Sequence, residues 1–259
     1  MTEALRVDVS ECRHVDDIAW EAFTLWSDAP VELKPLRRLA DGAIRSAAVT
    51  LPAGWLGTLR AGSAVTQVFV RAGALSVEGT AIGPQGLIVL GGAREAVAQA
   101  KTTTELVVIF DHACSPAAAP EGGLLLIADC MAVEPIIPVI EGKVLDGFFM
   151  RIVWVNPETG ADTMLLHVPA GFHGAGPNFH PVNEEIFCLS GDIQPDETRP
   201  MREGSFLWNP VHSVHGFDEY TIDGSVLLEW HDGPWGLTSA PDVEWPERYR
   251  ARSGVNAAG

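Results

Sequence analysis

Histidine and carboxylate side chains are concentrated in one part of this chain. Six of the eight histidines lie between residues 167 and 231. In the stretch NFHPVNEEIFCLSGDI, His180 is followed by Glu184 and Glu185, and His215 comes later. Neutral imidazole and carboxylate are the ligands of first-row transition metals such as iron, manganese, zinc and nickel. The sequence therefore predicts a metal centre, provided that the fold brings these residues together.

Strand alternation separates the two adjacent glutamates. The apolar run around them is typical of a β-strand, in which neighbouring side chains point to opposite faces. Glu184 then shares a face with Cys188, and Glu185 points the other way. Only one of the two glutamates can face a common interior with the histidines.

The elements that must position these residues occur twice. LPAGW at 51–55 lies over VPAGF at 168–172, and TQVFVRAG at 66–73 lies over EEIFCLSG at 184–191. Gly86 falls over Gly204 at the same spacing as the second pair. Three matches in order, at a nearly constant offset, indicate a duplicated unit of roughly 120 residues.

Each unit is rich in short alternating runs that end at Gly, Pro or Asn, a pattern typical of antiparallel strands. We therefore predict an all-β protein, with each unit closed as a small barrel or jelly roll. One short helix is expected within residues 16–26. The predicted divisions are an N-terminal domain at 1–115, a linker at 116–124, a C-terminal domain at 125–245 and a tail at 246–259.

Two motifs in the second unit resemble those of the cupin superfamily. His180, Glu184 and Gly191 fit the first motif, G(X)5HXH(X)3-4E(X)6G. In GSFLWNPVHSVH, the second motif G(X)5PXG(X)2H is matched except that His212 stands where the motif has Gly. The resemblance implies two tandem cupin barrels (double-stranded β-helix or jelly-roll) in one chain, with a ChrR-like cupin in the C-terminal half.

The resemblance also implies a ligand set. It places metal ligands at His180, Glu184 and His215, and Asn178 stands where the motif has its first histidine. Asn178 is then a weak oxygen ligand or a donor behind the ligands, and His173 is a possible substitute ligand. One divalent metal per chain is expected, with Fe(II) favoured and zinc, manganese and nickel as alternatives. Glu185 is expected to face solvent.

Four residues near the motifs are candidates for binding substrate, and each also has a purely structural interpretation. They are His173, His212, Trp208 and Cys188. A buried free cysteine is more often a small apolar filler. The positions of the first unit that match the ligands are Arg60, Gly62, Thr66 and Val97, none of which holds a divalent metal well, so that half is predicted to be structural.

Composition excludes several classes of partner. The formal net charge of −17 repels nucleic acid and anionic lipid, so neither is expected as a partner. The N-terminus lacks a signal-peptide pattern, and no apolar run is long enough to span a bilayer. We therefore expect a cytoplasmic protein that acts on a small molecule, with a homodimer possible.

The resemblance leaves three functions open. The first is a metal-dependent oxygenase acting on a small oxygenated organic substrate. The second is a metal-assisted isomerase or hydrolase that uses the same ligands. The third is a non-catalytic metal-dependent sensor or binding module.

Overall fold

The computed structural model describes residues 4–7, 9–24, 26, 31–61, 64–111, 119–195 and 200–247. These residues form mostly β-strands, and this confirms the all-β prediction. Most of the predicted tail and part of the predicted linker lie outside the described residues. The helix expected within 16–26 is wrong, because the described residues of this stretch form a 3-10 turn at Val15–Asp17 and a strand at Glu21–Phe23. No helix in the described ranges is both long and apolar enough to cross a bilayer.

By internal contacts the chain forms two compact units. The N-terminal unit contains residues 15–134 and 151–160, and the C-terminal unit contains residues up to 14, 135–150 and 161 onward. This grouping differs from the predicted divisions because segments that are distant in sequence pair as strands of the same unit. Residues 11–14 pair with 205–208, and residues 124–127 pair with 87–90. Where independently folding domains would begin and end stays a prediction.

The strands of the N-terminal unit build two facing sheets. The larger has the order β13-β10-β7-β12-β5-β4-β3, and the smaller has the order β6-β11-β8-β9. Their bounds are β3 Glu21–Phe23, β4 Val31–Arg38, β5 Ile44–Leu51, β6 Leu56–Arg60, β7 Val65–Ala72, β8 Leu75–Val77, β9 Thr80–Ile82, β10 Leu87–Leu90, β11 Glu95–Ala100, β12 Thr104–Asp111 and β13 Leu124–Ile127. Two further 3-10 turns lie at Glu121–Gly123 and Cys130–Ala132.

One apolar core holds these two sheets together. β11 alternates strictly, and its Ala96, Ala98 and Ala100 are buried while the residues between them are exposed. These alanines contribute to the same cluster as Val68 and Val108 of the larger sheet. Burying alternate side chains from both sheets is the arrangement that stabilises a β-sandwich or jelly roll.

The C-terminal unit has one main sheet and several short strand pairs. Its main sheet includes β17, β23, β19, β21 and β2 in that order, and β20 pairs with β19. The strand bounds are β1 Arg6–Val7, β2 Glu11–His14, β14 Val139–Ile140, β15 Lys143–Val144, β16 Phe149–Val155, β17 Asp162–Val168, β18 Asn178–Phe179, β19 Glu184–Ile193, β20 Met201–Arg202, β21 Ser205–Asn209, β22 Ser213–Val214, β23 Ser225–His231 and β24 Thr238–Ser239. β16 begins in this unit and continues beyond it. The short pairs are β14 with β15, β18 with β24, and β1 with β22.

Two positions of the motifs have a backbone reason for their residue type. Gly191 has φ +78°, and a Cβ there would clash with the carbonyl oxygen of Gly224. His212, which replaces the glycine of the second motif, has φ +59°. This left-handed conformation favours glycine, so the backbone has kept the turn although the side chain has changed.

Candidate metal centre

Three strands of the C-terminal unit bring a row of polar side chains to one end of the barrel interior. Glu184 opens β19 and is paired with Asn209 of β21 on one side and with His231 of β23 on the other. We call these three residues the polar row. All of them are at most 3% exposed. Buried polar groups require hydrogen-bond or metal partners, so this row must be satisfied from within.

Two further histidines approach the polar row from the turns that flank short strands. His180 directly follows β18, and His215 directly follows β22. The backbone of Asn178 exchanges two hydrogen bonds of 3.0 Å with His215, which locks these segments side by side. The two imidazole rings are stacked, with centroids 5.1 Å apart. This pairing explains how residues 35 positions apart meet at one point.

The predicted ligand trio is assembled. His180 Nε2 lies 3.2 Å from Glu184 Oε1, and His215 Nε2 lies 3.9 Å from Glu184 Oε2. One ligand atom from each residue lies within 4.8 Å of the others, so the three could hold a single metal ion. A second group that meets the same distance limit consists of Glu184, Glu229 and His231.

Backbone contacts orient both imidazoles for coordination. The Nδ1 atom of His180 lies 2.7 Å from the carbonyl oxygen of Gly236, and that of His215 lies 3.1 Å from the carbonyl of Ser213. A carbonyl only accepts, so each Nδ1 carries a proton, and in the neutral form of the ring Nε2 keeps a lone pair for a metal. This support of the far ring nitrogen is typical of metal-binding histidines.

The protonation states also suit a metal. Burial lowers the pKa of His180, so its ring is held in the neutral form that binds metals. Burial opposes ionisation of Glu184, but His180, His231 and His215 outweigh it and hold the pKa of the carboxyl well below its usual range. The trio is therefore two imidazoles and one carboxylate, the set found in non-haem Fe(II) sites with free coordination positions.

Glu184 is itself held by neighbours that the sequence did not single out. Asn209 donates from Nδ2 to Glu184 Oε2 at 2.6 Å, and His231 Nε2 lies 3.4 Å from Oε1. On its other side, His231 Nδ1 contacts Asp162 Oδ1 at 2.8 Å. Burial favours neutral His231, but hydrogen bonds to Asp162 and Glu184 raise its pKa to about 10. The result is a chain of charge-assisted contacts from Asp162 through His231 to Glu184, which fixes the rotamer of the carboxylate.

Asn178 lies beside the trio with an unmatched acceptor. Its Nδ2 donates to the carbonyl of Gly176 at 3.4 Å, while its buried Oδ1 has no hydrogen-bond partner within the described ranges. A buried carbonyl oxygen without a partner is costly unless an ion, a water or a ligand binds it. The unmatched Oδ1 fits the expected role of Asn178 as a weak oxygen ligand, whereas its Nδ2 donates to the backbone rather than to a member of the trio.

Of the four predicted substrate-binding residues, only His173 lines the cavity of the C-terminal unit, as far as the described residues show. A cavity of about 360 Å³ contains the trio and Asn178, and His173 lines it, stacked 6.0 Å from the ring of Tyr220. His212 and Trp208 do not line it. The His212 ring packs against Phe179, and Trp208 pairs with Glu185 on the opposite face of the sheet.

Cys188 is also away from the cavity wall, although it faces the interior as predicted. It is fully buried in an apolar cluster with Ile186, Leu207 and Leu227. Burial raises the pKa of its thiol to about 12, so it stays protonated. The filler interpretation fits these contacts. The expectation that Glu185 faces solvent is wrong, because Glu185 is only 2% exposed on the face opposite Glu184.

The N-terminal unit has the same strand pairing but lacks the histidine and carboxylate side chains at the matching positions. The position of Glu184 is taken by Thr66, which is paired with Leu90 on one side and Phe110 on the other. Of the other predicted equivalents, Arg60 forms an ion pair with Glu95, Val97 is exposed, and Gly62 lies outside the described residues. Beside Thr66, the positions of Asn209 and His231 are taken by the buried apolar residues Leu90 and Phe110, so this unit lacks the polar row.

Comparison with known proteins agrees with this geometry. Residues 139–232 match the model of the ChrR Cupin-like domain. The C-terminal half carries a ChrR cupin-like domain. This domain contains the ligand trio and the polar row. No curated protein matches this chain in sequence.

Solved structures extend the cupin fold to nearly the whole chain. A "putative dioxygenase" from Nostoc punctiforme superposes with TM-score 0.75 at 15% identity, covering 89% of this chain and 86% of that one. Protein Ylba from E. coli gives TM-score 0.61 at 15% identity, covering 89% and 94%. A mutant of Bacillus subtilis oxalate decarboxylase gives TM-score 0.56 at 14% identity, covering 95% and 84%. At such identities the likeness concerns the fold, and it confirms the prediction of two tandem cupin barrels.

The contrast between the two units predicts the metal stoichiometry. Protein reconstituted with iron, zinc or manganese and then passed through a desalting column should retain one equivalent per chain. Elemental analysis measures this directly. Two equivalents, or none with any of the three metals, would contradict the assignment of a single centre.

Proposed function

We propose that this protein is a metal-dependent oxygenase, with Fe(II) as the favoured metal, acting on a small oxygenated organic molecule. The observation that carries the proposal is the ligand trio, with both Nε2 lone pairs and one carboxylate converging at the polar end of a mostly apolar cavity. Two histidines and one carboxylate leave coordination positions free for substrate. When bound, iron would supply Lewis acidity toward a substrate oxygen and redox chemistry toward O2.

The residues of this chain have separate tasks in such a reaction. His180, Glu184 and His215 would hold the metal, and Asn209 with His231 would keep Glu184 in place. Asn178 lines the cavity and is held against His215 by two backbone hydrogen bonds, so it would help to orient the substrate beside the trio. The apolar wall, which includes Trp235, would exclude water and orient the substrate, and this supplies proximity.

An isomerase or hydrolase is the second candidate, and one observation favours it. Glu229 is buried beside the trio, and burial together with Glu184 raises its pKa to about 8. A carboxyl with such a pKa can give or take a proton near neutral pH, as general acid–base catalysis requires. Proton transfer to and from a substrate needs no redox metal.

Metal exchange distinguishes the two candidates. The Fe(II) form should consume O2 in an oxygen electrode only when an oxygenated substrate that can chelate the metal is added, and the zinc form should consume none because zinc has no redox chemistry. Turnover of the same compound by the zinc form without O2 uptake would transfer the assignment to the isomerase or hydrolase. A metal-loaded protein that turns over no compound with either metal would favour a binding module.

A further inference from the structure

The side chains that face the interior of the C-terminal unit change from polar to apolar along its strands. Next to the polar row lies a middle row, in which Glu229 is paired with Met164 on one side and Ile186 on the other. One step further, Leu227 is paired with Leu166 and Cys188, and these three form an inner row. Because side chains on one face recur every second residue, the rows follow one another at about 7 Å.

The inner end of the cavity is built to contact hydrocarbon. Six buried or half-buried apolar side chains of one cluster line it: Phe148, Val168, Phe172, Ile193, Met201 and Leu227. Phe148 and Phe172 pack edge to face, with ring centroids 4.8 Å apart. A ligand confined to the polar row would leave these walls without contact. Each methylene that is buried against such walls strengthens binding by up to about fourfold.

The charges around the cavity disfavour a second anionic group on the ligand. Four glutamates line the cavity, at positions 141, 184, 219 and 229, and Glu184 is held as the carboxylate, despite its burial, only because histidines surround it. Among the described residues that line it, Lys143 is the only lysine or arginine, and it is exposed. A ligand whose far end carried a carboxylate would place that charge among the apolar side chains of the inner end, where a buried anion without a cationic partner is costly.

We propose that the substrate is an amphiphilic molecule, with one chelating oxygen head and an uncharged apolar body that lies along the strands from the polar row to the inner row. The proposal rests on the function proposed above, since the head binds at the metal centre. At the volume of one water per heavy atom, the cavity accommodates roughly 12 non-hydrogen atoms. Small dicarboxylates such as oxalate are excluded as preferred ligands.

Chelating probes of different chain length test this inference without requiring turnover. Zinc-loaded protein is titrated with acetohydroxamate, octanohydroxamate and oxalate by isothermal calorimetry. Octanohydroxamate should bind at least 50-fold more tightly than acetohydroxamate, because each added methylene that is buried is worth up to about fourfold in affinity. Oxalate should bind more weakly than octanohydroxamate by a similar factor. Equal affinity for the two hydroxamates, or tightest binding of oxalate, would overturn the inference.

Adjacent leucines on β23 provide a matched pair of variants. Leu227 lines the cavity, while Leu228 is equally buried but does not line it. Leu227→Phe should weaken octanohydroxamate binding at least tenfold and leave acetohydroxamate within about twofold. Leu228→Phe should change neither, with metal content checked in both variants. Equal effects of the two substitutions would overturn the inference, and if either variant fails to fold, the chain-length series on the natural protein decides alone.

The outcomes separate this inference from the proposed reaction. Steep chain-length dependence without O2 uptake by the Fe(II) form would retain the substrate class and remove the oxygenase. O2 uptake with a flat chain-length series would do the reverse. Failure of the zinc-loaded protein to bind any hydroxamate would overturn the inference even if O2 is consumed.

Discussion

Glu184→Gln should remove the metal from this protein, lowering its affinity for zinc or Fe(II) by more than 100-fold. The substitution keeps the size of the side chain but takes away the only carboxylate of the trio, and with it the charge that balances a divalent cation. It also leaves His231 facing a neutral amide at the atom it now contacts. Changes in groups that merely support ligands already cost 10–100-fold, so the loss of a ligand must cost more. Competition with a chromophoric chelator measures the affinity.

Glu185→Gln is the matched control, because it makes the same chemical change one residue along the same strand. Glu185 is as buried as Glu184, but its strand neighbours are Trp208 and Trp230 rather than the polar row. The variant should retain one equivalent of metal with affinity within a few-fold of the natural protein. Loss of metal in the Glu185 variant and retention in the Glu184 variant would show that the wrong glutamate has been placed at the centre.

The proximity of His180, Glu184 and His215 could be predicted because the motifs that contain them are local in sequence. His180 lies in the short turn before β19, and Glu184 is the first residue of that strand. His215 occupies a fixed place in the second motif. Strand alternation also placed Glu184 and Glu185 on opposite faces, and the pairing of β19 confirms this. Exposure could not be predicted in the same way. Whether the outer face of a strand is covered depends on what packs there, and Glu185 is buried.

Residues that support the trio depend on strand register over long distances. Asp162 and His231 are 69 positions apart, and they meet only because β17, β23 and β19 lie side by side. The register of β19 with β23 shifts at a bulge between Cys188 and Ser190, which no spacing rule reveals. One signal was present: His231 ends an apolar strand at the position where the repeat has Phe110. A comparison of the two repeats at this position could therefore have pointed to His231 as a candidate site residue.

The same limit explains why Cys188 and Trp208 do not line the cavity. Cys188 has the parity of Glu184 but lies two rows deeper, about 13 Å along the strand, where the interior is apolar. Trp208 is next to Asn209 of the polar row, yet alternation directs it to the other face. Whether a residue lines the cavity therefore depends more on its row and its face of the sheet than on how close it is to a motif in sequence.

Glu229 is a buried ionisable residue at a position where the N-terminal unit has an apolar one. In the N-terminal unit the corresponding position is Val108, paired with Ala47 and Val68 within the apolar core. An ionisable group in such surroundings reduces stability, and proteins retain such groups where function requires them. Glu229→Gln should therefore increase the stability of the metal-free protein at alkaline pH.

The direction and the pH range follow from the pKa. Burial raises the pKa of Glu229 from 4.5 to about 8, with Glu184, Asp162 and Glu219 acting in the same direction and His231 opposing them. Between these values the folded state binds more protons than the unfolded state, so the free energy of unfolding of the natural protein falls as pH rises from about 5 to 8. Glutamine does not titrate and avoids this loss. The advantage of the variant should be small at pH 5 and on the order of 3 kcal/mol at pH 8.

Urea denaturation of metal-free protein at pH 5, 6.5 and 8 measures the effect. The comparison at pH 5 serves as the internal control, because Glu229 is then protonated in the folded protein and glutamine has nearly the same size. The histidine–carboxylate contacts are present in both proteins, so their own titration cancels in the difference to first order. A constant difference across the three pH values would mean that Glu229 is not held protonated by its surroundings. A variant that grows less stable as pH rises would reverse the sign and show that the carboxylate form is the one that the fold favours.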